Sequence, residues 1–280
     1  MSTDISLPCG DQAEEPASAA DDTGIGVNIP NVARMYDYWL GGKDNFKADR
    51  VAADRITAMI PGSGPNCLDN RSFLQRAVRF LAEAGIRQFV DIGSGLPTAQ
   101  NTHQVAHEID PGIRVAYIDY DPVVISHARA LLATDRSVIA VHRDLRSPRE
   151  LIEDEGLGRL IDFREPVALL LVAVLHFVEN HEEVAGVLKD RLAPGSFLAL
   201  THVTADHVPR AVEEAALEVY KGASAQLIPR SNSDITGFLG GLEIMDPGVV
   251  EINSWHPEIL PCRPVGPAPS GLFGAVARKI

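Results

Sequence analysis

Apolar side chains between residues 28 and 85 recur with the spacing of α-helices. The first stripe falls at i, i+3, i+4, i+7 and i+8, which is one face of a helix, and it consists of Val32, Met35, Tyr36, Trp39 and Leu40. Two adjacent glycines then end this helix. We expect a second helix over 46–60 and, after a Pro- and Gly-rich turn, a third that ends at Ala84. The pattern predicts a helical cap over residues 28–85.

From residue 86 onward, short apolar runs alternate with helical stretches. The predicted strands cover 88–92, 114–118, 138–141, 167–174 and 196–203. Helices are expected over 97–109, 122–133, 147–155, 181–191 and 205–220. Such alternation is typical of βαβ units, and a run without polar residues is typical of a central strand buried on both faces. We therefore predict an α/β domain over 86–280, with a doubly wound, mostly parallel sheet that ends in an antiparallel hairpin of 248–253 and 271–278.

The composition is that of an ordinary globular chain, and its charge argues against several classes of partner. Of the 280 residues, 45% are hydrophobic and 22% are charged, and the net charge is −13. No apolar run approaches the roughly 18 residues that a membrane span needs. Lys and Arg residues are scattered, whereas a nucleic-acid surface needs them clustered. We expect neither a membrane nor a nucleic-acid partner.

Residues 1–27 are predicted to form a disordered acidic tail, because they contain six acids, no Lys or Arg, and little apolar surface. The same composition argues against an export signal. Cys9, Cys67 and Cys262 are far apart and form no C-x-x-C motif, which argues against disulfides and a cysteine metal site. We expect a cytoplasmic location.

The first predicted strand ends in a glycine turn that suits a ligand. Gly93 and Gly95 let the backbone turn tightly and approach a bound molecule, and the next helix offers free N–H groups at its start. Pro97 suits the first turn of that helix. A tight turn without any ligand is the alternative interpretation of this motif by itself.

Acidic residues follow the next two predicted strands. Asp119 can accept hydrogen bonds from both hydroxyls of a ribose, Tyr120 can pack on an adenine, and Asp144 can accept from an adenine amino group. A dinucleotide fingerprint would have a third glycine where this chain has Thr98, which disfavours a pyrophosphate. The set fits a nucleoside without a pyrophosphate, although each acid could instead cap a helix.

These motifs resemble those of class I S-adenosylmethionine-dependent methyltransferases. The resemblance rests on D-I-G-S-G at 91–95, Y-I-D-Y-D-P at 117–122 and R-D-L at 143–145. In addition, the runs at 31–46, 95–103 and 121–132 are similar to a mainly actinobacterial family of S-adenosyl methyltransferases of unassigned substrate. The resemblance extends over nearly the whole chain after the tail. It implies a Rossmann-like methyltransferase fold with S-adenosylmethionine as the cofactor.

The resemblance also implies a set of cofactor-binding residues, namely Asp91, Gly93, Ser94, Gly95, Asp119, Tyr120, Asp144 and Leu145. The glycine turn would pass beside the amino-acid part of the cofactor, and Asp91 would receive its ammonium group. Asp119 would hold the ribose. Tyr120 would flank the adenine, and Asp144 with the Leu145 backbone would read its edge.

Other residues are candidates for contact with the methyl group or the acceptor. His176 follows the fourth strand, and a neutral imidazole can take a proton from a hydroxyl or an amine, although it could also simply fix the loop. The polar turn after the first helix is predicted to be a lid, with Tyr36, Lys43 and Asn45 touching cofactor or acceptor. His103 and His107 are one helical turn apart without an evident third ligand, so we expect no metal site.

The sequence therefore favours an enzyme that transfers a methyl group to an oxygen or nitrogen of a small-molecule acceptor, and the resemblance implies a place in secondary metabolism. The first alternative is a non-catalytic S-adenosylmethionine-binding sensor or regulatory protein. A nicotinamide-dependent oxidoreductase is a further alternative, which Thr98 disfavours.

Overall fold

The structure, a computed structural model, describes residues 26–98, 100–133, 136–206, 208–264 and 270–280. All but the last two residues of the predicted acidic tail lie outside these ranges. Within them, no helix is both long and apolar enough to cross a membrane.

The helical cap begins with three helices, α1 (Val32–Trp39), α2 (Lys47–Met59) and α3 (Ser63–Glu83). Asn31 starts α1, because its side-chain oxygen accepts from the backbone N–H groups of Ala33 and Arg34. Its amide nitrogen donates to Asp121 Oδ2 at 2.7 Å. The start of the cap is thereby fixed to the edge of the α/β sheet.

The sheet confirms the predicted fold class. Its strands are β1 (Gln88–Ile92), β2 (Arg114–Asp119), β3 (Val138–His142), β4 (Ala168–Val172), β5 (Phe197–Val203), β6 (Glu243–Ile244), β7 (Val250–Glu251) and β8 (Leu272–Arg278). The order is β3-β2-β1-β4-β5-β8-β6, and β7 also pairs with β8. β1 to β5 are parallel, whereas β8 runs antiparallel to β5, β6 and β7.

The remaining helices connect these strands. They are α4 (Thr102–Ile109), α5 (Pro122–Leu131), α6 (Pro148–Ile152), α7 (Glu155–Leu160), α8 (His181–Arg191), α9 (Arg210–Lys221) and α10 (Asn232–Phe238). Apolar clusters fill both faces of the sheet, and a third cluster joins α1, α2 and α9 through Met35, Ile56, Ala216 and Tyr220. The cap therefore packs against α9 as well as against the sheet.

Two predicted boundaries are wrong at the carboxyl edge of the sheet. The helix expected from Pro97 begins at Thr102, because Asn101 caps it and the Asn101 N–H donates to Gln104 Oε1 at 2.7 Å. The strand expected to reach residue 174 ends at Val172, because Ala173 has a φ of 56° and turns the chain. The loops after β1 and β4 are therefore longer than the sequence predicts.

Other boundaries differ in the connecting segments. The helix predicted over 147–155 is two short helices, since Asp154 starts α7 by accepting from the Leu157 N–H at 2.8 Å. The helix predicted from 205 begins at Arg210, directly after Pro209. Of the strand predicted over 248–253, only Val250–Glu251 pairs with β8.

Candidate functional site

A cavity lies at the carboxyl ends of β1 to β5, where the strand order reverses between β1 and β4. The cavity has a volume of about 270 Å³. Its floor is formed by the loops that follow the strands, and its other walls come from the cap, α9 and the segment after α9. It lines up with the place where open α/β sheets bind ligands.

The turn after β1 gives this cavity an open backbone surface. Gly93 and Gly95 have φ angles of 71° and 66°, which favour glycine. A Cβ on Gly93 would lie 2.4 Å from Val174 Cγ2, whereas one on Gly95 would meet nothing within 4 Å. Between them, Ser94 Oγ is buried and has no hydrogen-bond partner among the residues that the structure describes. The turn therefore contributes an unpaired polar atom and bare backbone to the wall of the cavity.

Asp91 and Arg71 form the charged end of the cavity. Asp91 is buried at the end of β1 and accepts a 2.6 Å hydrogen bond from Thr102 Oγ1. Burial raises its pKa, and the hydrogen bond from Thr102 and the charge of Arg71 oppose that rise. Arg71, from α3, also lines the cavity, and its Nε is buried without a hydrogen-bond partner in the described ranges. The amino-acid moiety of a ligand suits this pair, because its ammonium group would meet the carboxylate of Asp91 and its carboxylate would meet the guanidinium of Arg71.

Asp119 closes the end of β2 and is tied to the glycine turn. Its Oδ2 accepts from the Gly95 N–H at 3.0 Å, and its Oδ1 accepts from the Asp121 N–H at 2.9 Å. Burial raises the pKa of Asp119 to about 6, against the lowering effect of these hydrogen bonds. The carboxylate keeps free lone pairs, so it can also accept from the hydroxyls of a ribose.

Tyr120, Asp144 and Leu145 line the same side of the cavity. Arg146 lies over the Tyr120 ring, 5.2 Å from its centroid, and donates to both carboxylate oxygens of Asp144 at 2.6 to 2.9 Å. Burial alone would raise the pKa of Asp144, but the hydrogen bonds from Arg146 outweigh it and lower that pKa. Asp144 is thus already engaged, and an adenine amino group would have to share its carboxylate with Arg146.

His176 lies in the 3₁₀ turn Leu175–Phe177 after β4 and lines the cavity. Its ring is buried, and its Nδ1 has no hydrogen-bond partner within the described part of the chain. Burial lowers its pKa well below the usual range, and nearby His202 and Arg230 lower it further. His176 is therefore a neutral imidazole at pH 7 with a free nitrogen.

Arg230 holds the turn that carries His176, although it does not line the cavity itself. Its guanidinium is buried and donates to the carbonyls of Leu175 at 3.0 Å and Val178 at 2.7 Å. It also donates to His202 Nε2 at 3.1 Å, while His202 Nδ1 donates to the Val203 carbonyl at 2.7 Å. Burial lowers the pKa of His202 to about 4, so this second imidazole is neutral and fully bonded.

Tyr36 lines the cavity from α1 and belongs to a buried chain of hydrogen bonds. Asn70 Nδ2 donates to the Tyr36 hydroxyl at 2.9 Å, and Thr201 Oγ1 donates to Asn70 Oδ1 at 2.7 Å. The Ala173 N–H in turn donates to Thr201 Oγ1 at 2.8 Å. This chain of hydrogen bonds joins the cap to Ala173, the residue with a positive φ that follows β4.

The structure does not bring the other two predicted lid residues to the cavity. Lys43 is exposed, and neither Lys43 nor Asn45 lines the cavity wall. Asn45 Nδ2 instead donates to Asp37 Oδ2 at 2.8 Å, which holds the turn after α1 against that helix. The polar residues of this turn bind one another because they must satisfy its backbone.

Sequence reasoning missed Arg71 and Asn70, and it did not assign Arg230 to the turn that carries His176. The only available signal for the first two was a polar stretch at 69–71 inside an otherwise amphipathic helix. His103 and His107 bind Tyr117 Oη at 2.8 Å and the Ile113 carbonyl at 2.9 Å. No cluster of three or more possible metal ligands occurs among the residues that the structure describes.

The donor set of the cavity fits S-adenosylmethionine. The unpartnered Ser94 hydroxyl, the open space above Gly95 and the opposed charges of Asp91 and Arg71 surround the position of an amino-acid moiety. Asp119 offers acceptors for a ribose at the neighbouring strand end.

Comparisons with known proteins agree with this fit. A family model described as S-adenosyl methyltransferase matches residues 18–280. A crystal structure of a candidate methyltransferase from Thermobifida fusca YX is similar at 39% identity and a TM-score of 0.85, covering 94% of this chain and 99% of that one. A DUF574 family protein from Streptomyces avermitilis MA-4680 is similar at 34% identity and a TM-score of 0.83, covering 91% and 100%. No curated protein matches. This chain belongs to the S-adenosyl methyltransferase family.

Proposed function

We propose that this methyltransferase transfers the methyl group of S-adenosylmethionine to an oxygen or nitrogen of a small-molecule acceptor in secondary metabolism. One observation carries the proposal: the cavity continues from the predicted cofactor residues to the buried imidazole of His176, whose Nδ1 has no hydrogen-bond partner among the described residues. A sensor would need only the cofactor end. The continuation past His176 to the cap and α9 favours a second ligand, and hence catalysis.

In this proposal, each end of the cofactor meets a different strand end. Asp91 binds the ammonium group, Arg71 binds the carboxylate, and the turn from Gly93 to Gly95 follows the methionine chain. Asp119 holds the ribose hydroxyls, while Tyr120, Asp144 and the Leu145 backbone surround the adenine. When bound, S-adenosylmethionine supplies a methyl group on a sulfonium centre, which an oxygen or nitrogen lone pair can take.

His176 is the proposed base. An acceptor hydroxyl or amine that attacks the methyl group must lose a proton, and the free Nδ1 of a neutral imidazole can accept it. Because burial disfavours the charged imidazolium, the proton moves only as the new bond forms. The other contribution of the chain is to hold the acceptor close to the methyl group and to exclude water.

The cofactor half of the proposal is tested by calorimetric titration with S-adenosylhomocysteine and with NAD. We expect heat of binding with the first and none with the second. Asp119→Ala should weaken S-adenosylhomocysteine binding by about 1 to 3 kcal/mol, because it removes a buried acceptor of the ribose hydroxyls. Binding as tight as that of the unmodified protein would contradict the assignment of Asp119.

The catalytic half is tested by transfer of labelled methyl from S-adenosylmethionine to a panel of phenols and amines. His176→Gln should retain S-adenosylhomocysteine binding but lose about 10²-fold or more in transfer rate, as expected for a lost general base. His127→Gln, at a partly exposed position on α5, is the matched control. Equal rates in the His176 variant and the unmodified protein would exclude His176 as the base.

A further inference from the structure

The cavity has a second wall that the cofactor residues do not form. We call it the roof, and it consists of α1, α2 with the following Ile60, α9 and residues 222–231. The roof residues that face the cavity include Trp39, Ile56, Ile60, Ala216, Tyr220 and Leu227. These side chains also belong to, or pack against, the apolar cluster between the cap and α9. The wall is therefore a continuous apolar and aromatic surface.

The roof offers almost no charge to a ligand. Among the described residues of the roof, Asp37 is the one Asp, Glu, His, Lys or Arg side chain that lines the cavity, and its carboxylate already accepts hydrogen bonds from the chain. Its Oδ2 accepts from the Asp44 N–H at 3.0 Å and from Asn45 Nδ2 at 2.8 Å. A charged group placed under the roof would lose its hydration without gaining a partner, which is costly. An uncharged apolar group would be stabilised by leaving water.

His176 connects this wall to the reaction centre. Its ring centroid is 4.4 Å from that of Phe177, and the Phe177 centroid is 6.1 Å from that of Tyr220 on α9. The row of aromatic rings thus runs from the free imidazole nitrogen into the roof. A ligand ring can pack against such edges, while a polar substituent at its near end reaches the imidazole.

We propose that the acceptor is an uncharged, largely apolar aromatic compound, whose ring lies under the roof and whose hydroxyl or amino group lies at His176. This inference rests on the proposed methyltransferase function and specifies the substrate class of the same site. The low proton affinity of the buried imidazole supports an aromatic hydroxyl in particular. Phenols, with a pKa of about 10, give up a proton more readily than alkyl alcohols.

A matched pair of probes tests the proposal: 2-naphthol, and 6-hydroxy-2-naphthoate, which adds a carboxylate to the same ring system. Each is titrated calorimetrically into protein saturated with S-adenosylhomocysteine. We expect 2-naphthol to bind at least about tenfold more tightly, because the carboxylate would be buried without a partner.

Leu227→Lys places an ammonium group on the roof at a half-buried position. This substitution should weaken binding of 2-naphthol and strengthen binding of the naphthoate, so that the ratio of the two affinities decreases or reverses. Leu131→Lys, at an exposed position of α5, is the matched control and should leave the ratio unchanged. If the Leu227 variant does not fold, the comparison of the two probes on the unmodified protein still decides the question.

Equal or tighter binding of the naphthoate to the unmodified protein would overturn the proposal. The same holds for a failure of 2-naphthol to bind while S-adenosylhomocysteine binds, and that result would leave the proposed methyltransferase function intact. An unchanged ratio in a folded Leu227→Lys protein would overturn the assignment of the roof as the ring site. Absence of S-adenosylhomocysteine binding would instead count against the proposed function itself.

Discussion

Gly93 and Val174 lie against each other where the ends of β1 and β4 meet the cavity. The backbone of the turn after β1 can pass this point because Gly93 has no Cβ. A Cβ on Gly93 would lie 2.4 Å from Val174 Cγ2. Its φ of 71° adds a second reason for glycine. The requirement at this position is therefore steric as well as conformational, and it exists without any ligand.

We predict that Gly93→Ala lowers the free energy of unfolding by about 1 to 3 kcal/mol, because it combines a positive φ with a clash. Urea unfolding followed by circular dichroism measures this change. Gly186→Ala is the matched control, because Gly186 lies inside α8 and a Cβ there meets nothing within 4 Å. That substitution should raise stability by about 0.5 to 1 kcal/mol. Equal effects of the two substitutions would contradict the assignment.

Asp119 should make cofactor binding depend on pH. The free carboxyl has a pKa of about 6, raised by burial, so it is protonated below that pH and has fewer acceptors for ribose hydroxyls. S-adenosylhomocysteine affinity should therefore fall as the pH decreases through about 6. The free energy of unfolding of the unliganded protein changes with pH in the opposite direction. The stability that Asp119 contributes is present below the ordinary carboxyl pKa and is lost as the pH rises through about 6.

Calorimetric titration between about pH 5 and about pH 8 measures the effect on affinity. Asp119→Asn should bind more weakly and lose the step near pH 6, whereas Asp190→Asn, at an exposed position on α8, should keep it. If the change in affinity near pH 6 persists in the Asp119→Asn protein, a group other than Asp119 causes it.

At the residue scale, the candidate site was predictable wherever a strand end fixes it. Asp91 lies near the end of a predicted strand, and Asp119 and the glycine turn directly follow predicted strands, so their positions at one edge follow from the parallel topology. Arg71 and Asn70 come from a long helix, and no local pattern shows that the face they occupy turns toward β1 and β5. The interpretation of Lys43 and Asn45 did not account for the polar contacts that a tight turn itself needs.

At the scale of elements, the segment before α10 determines where the turn after β4 lies. Arg230 reaches from this segment to two carbonyls of the turn that carries His176. It acts as a positioning residue, because the guanidinium contacts the backbone of that turn and not the cavity. Ser231 and Asp234 form a capping box that starts α10 directly after it. The capping box orients the segment before α10, and Arg230 binds this segment to the turn after β4.

Arg230→Gln should lower the free energy of unfolding by about 1 to 3 kcal/mol, because it removes charged hydrogen bonds to buried carbonyls. It should also speed amide hydrogen exchange in the turn around Phe177 while leaving exchange in β1 unchanged. Arg210→Gln is the matched control, since that side chain is exposed and forms an ion pair with Glu214 on the helix surface. Its effect should stay within about 0.5 kcal/mol. Unaltered exchange around Phe177 would refute the positioning role.

Elements with a strong period were predictable, and their ends were less so. The strands and the cap helices follow from apolar spacing, which a buried face imposes on the chain. The start of α4 was misplaced because Pro97 and Asn101 both suit the beginning of a helix, and only the bonds between Asn101 and Gln104 select the second. The end of β4 was misplaced because Ala173 gives no sign in the sequence of its φ of 56°.

For the whole molecule, the last strand is part of the interior. β8 lies between β5 and the short strands β6 and β7, and Ala275, Val276 and Ala277 are fully buried. The antiparallel pairing with β5 extends over the full length of both strands, from Phe197 opposite Arg278 to Val203 opposite Leu272. The sheet is one body whose centre includes the final segment of the chain.

We therefore predict that the amide of Val276 exchanges about as slowly as that of Val90 in β1, because both open only when the sheet unfolds. Native-state hydrogen exchange measured by NMR or mass spectrometry tests this. The amide of Arg159, exposed at the end of α7, should exchange much faster. Rapid exchange at Val276 would show that β8 detaches separately.

The position of β8 has a consequence for synthesis of the protein. The parallel strands β1 to β5 leave the ribosome first, but the strand that covers the free edge of β5 is made only after α9, α10, β6 and β7. Until then, β5 exposes unpaired N–H and C=O groups beside apolar side chains, which is the type of edge that pairs with other chains. The nascent sheet must keep this edge protected until translation reaches residue 278, so expression at lower temperature or with added chaperone should increase the soluble yield.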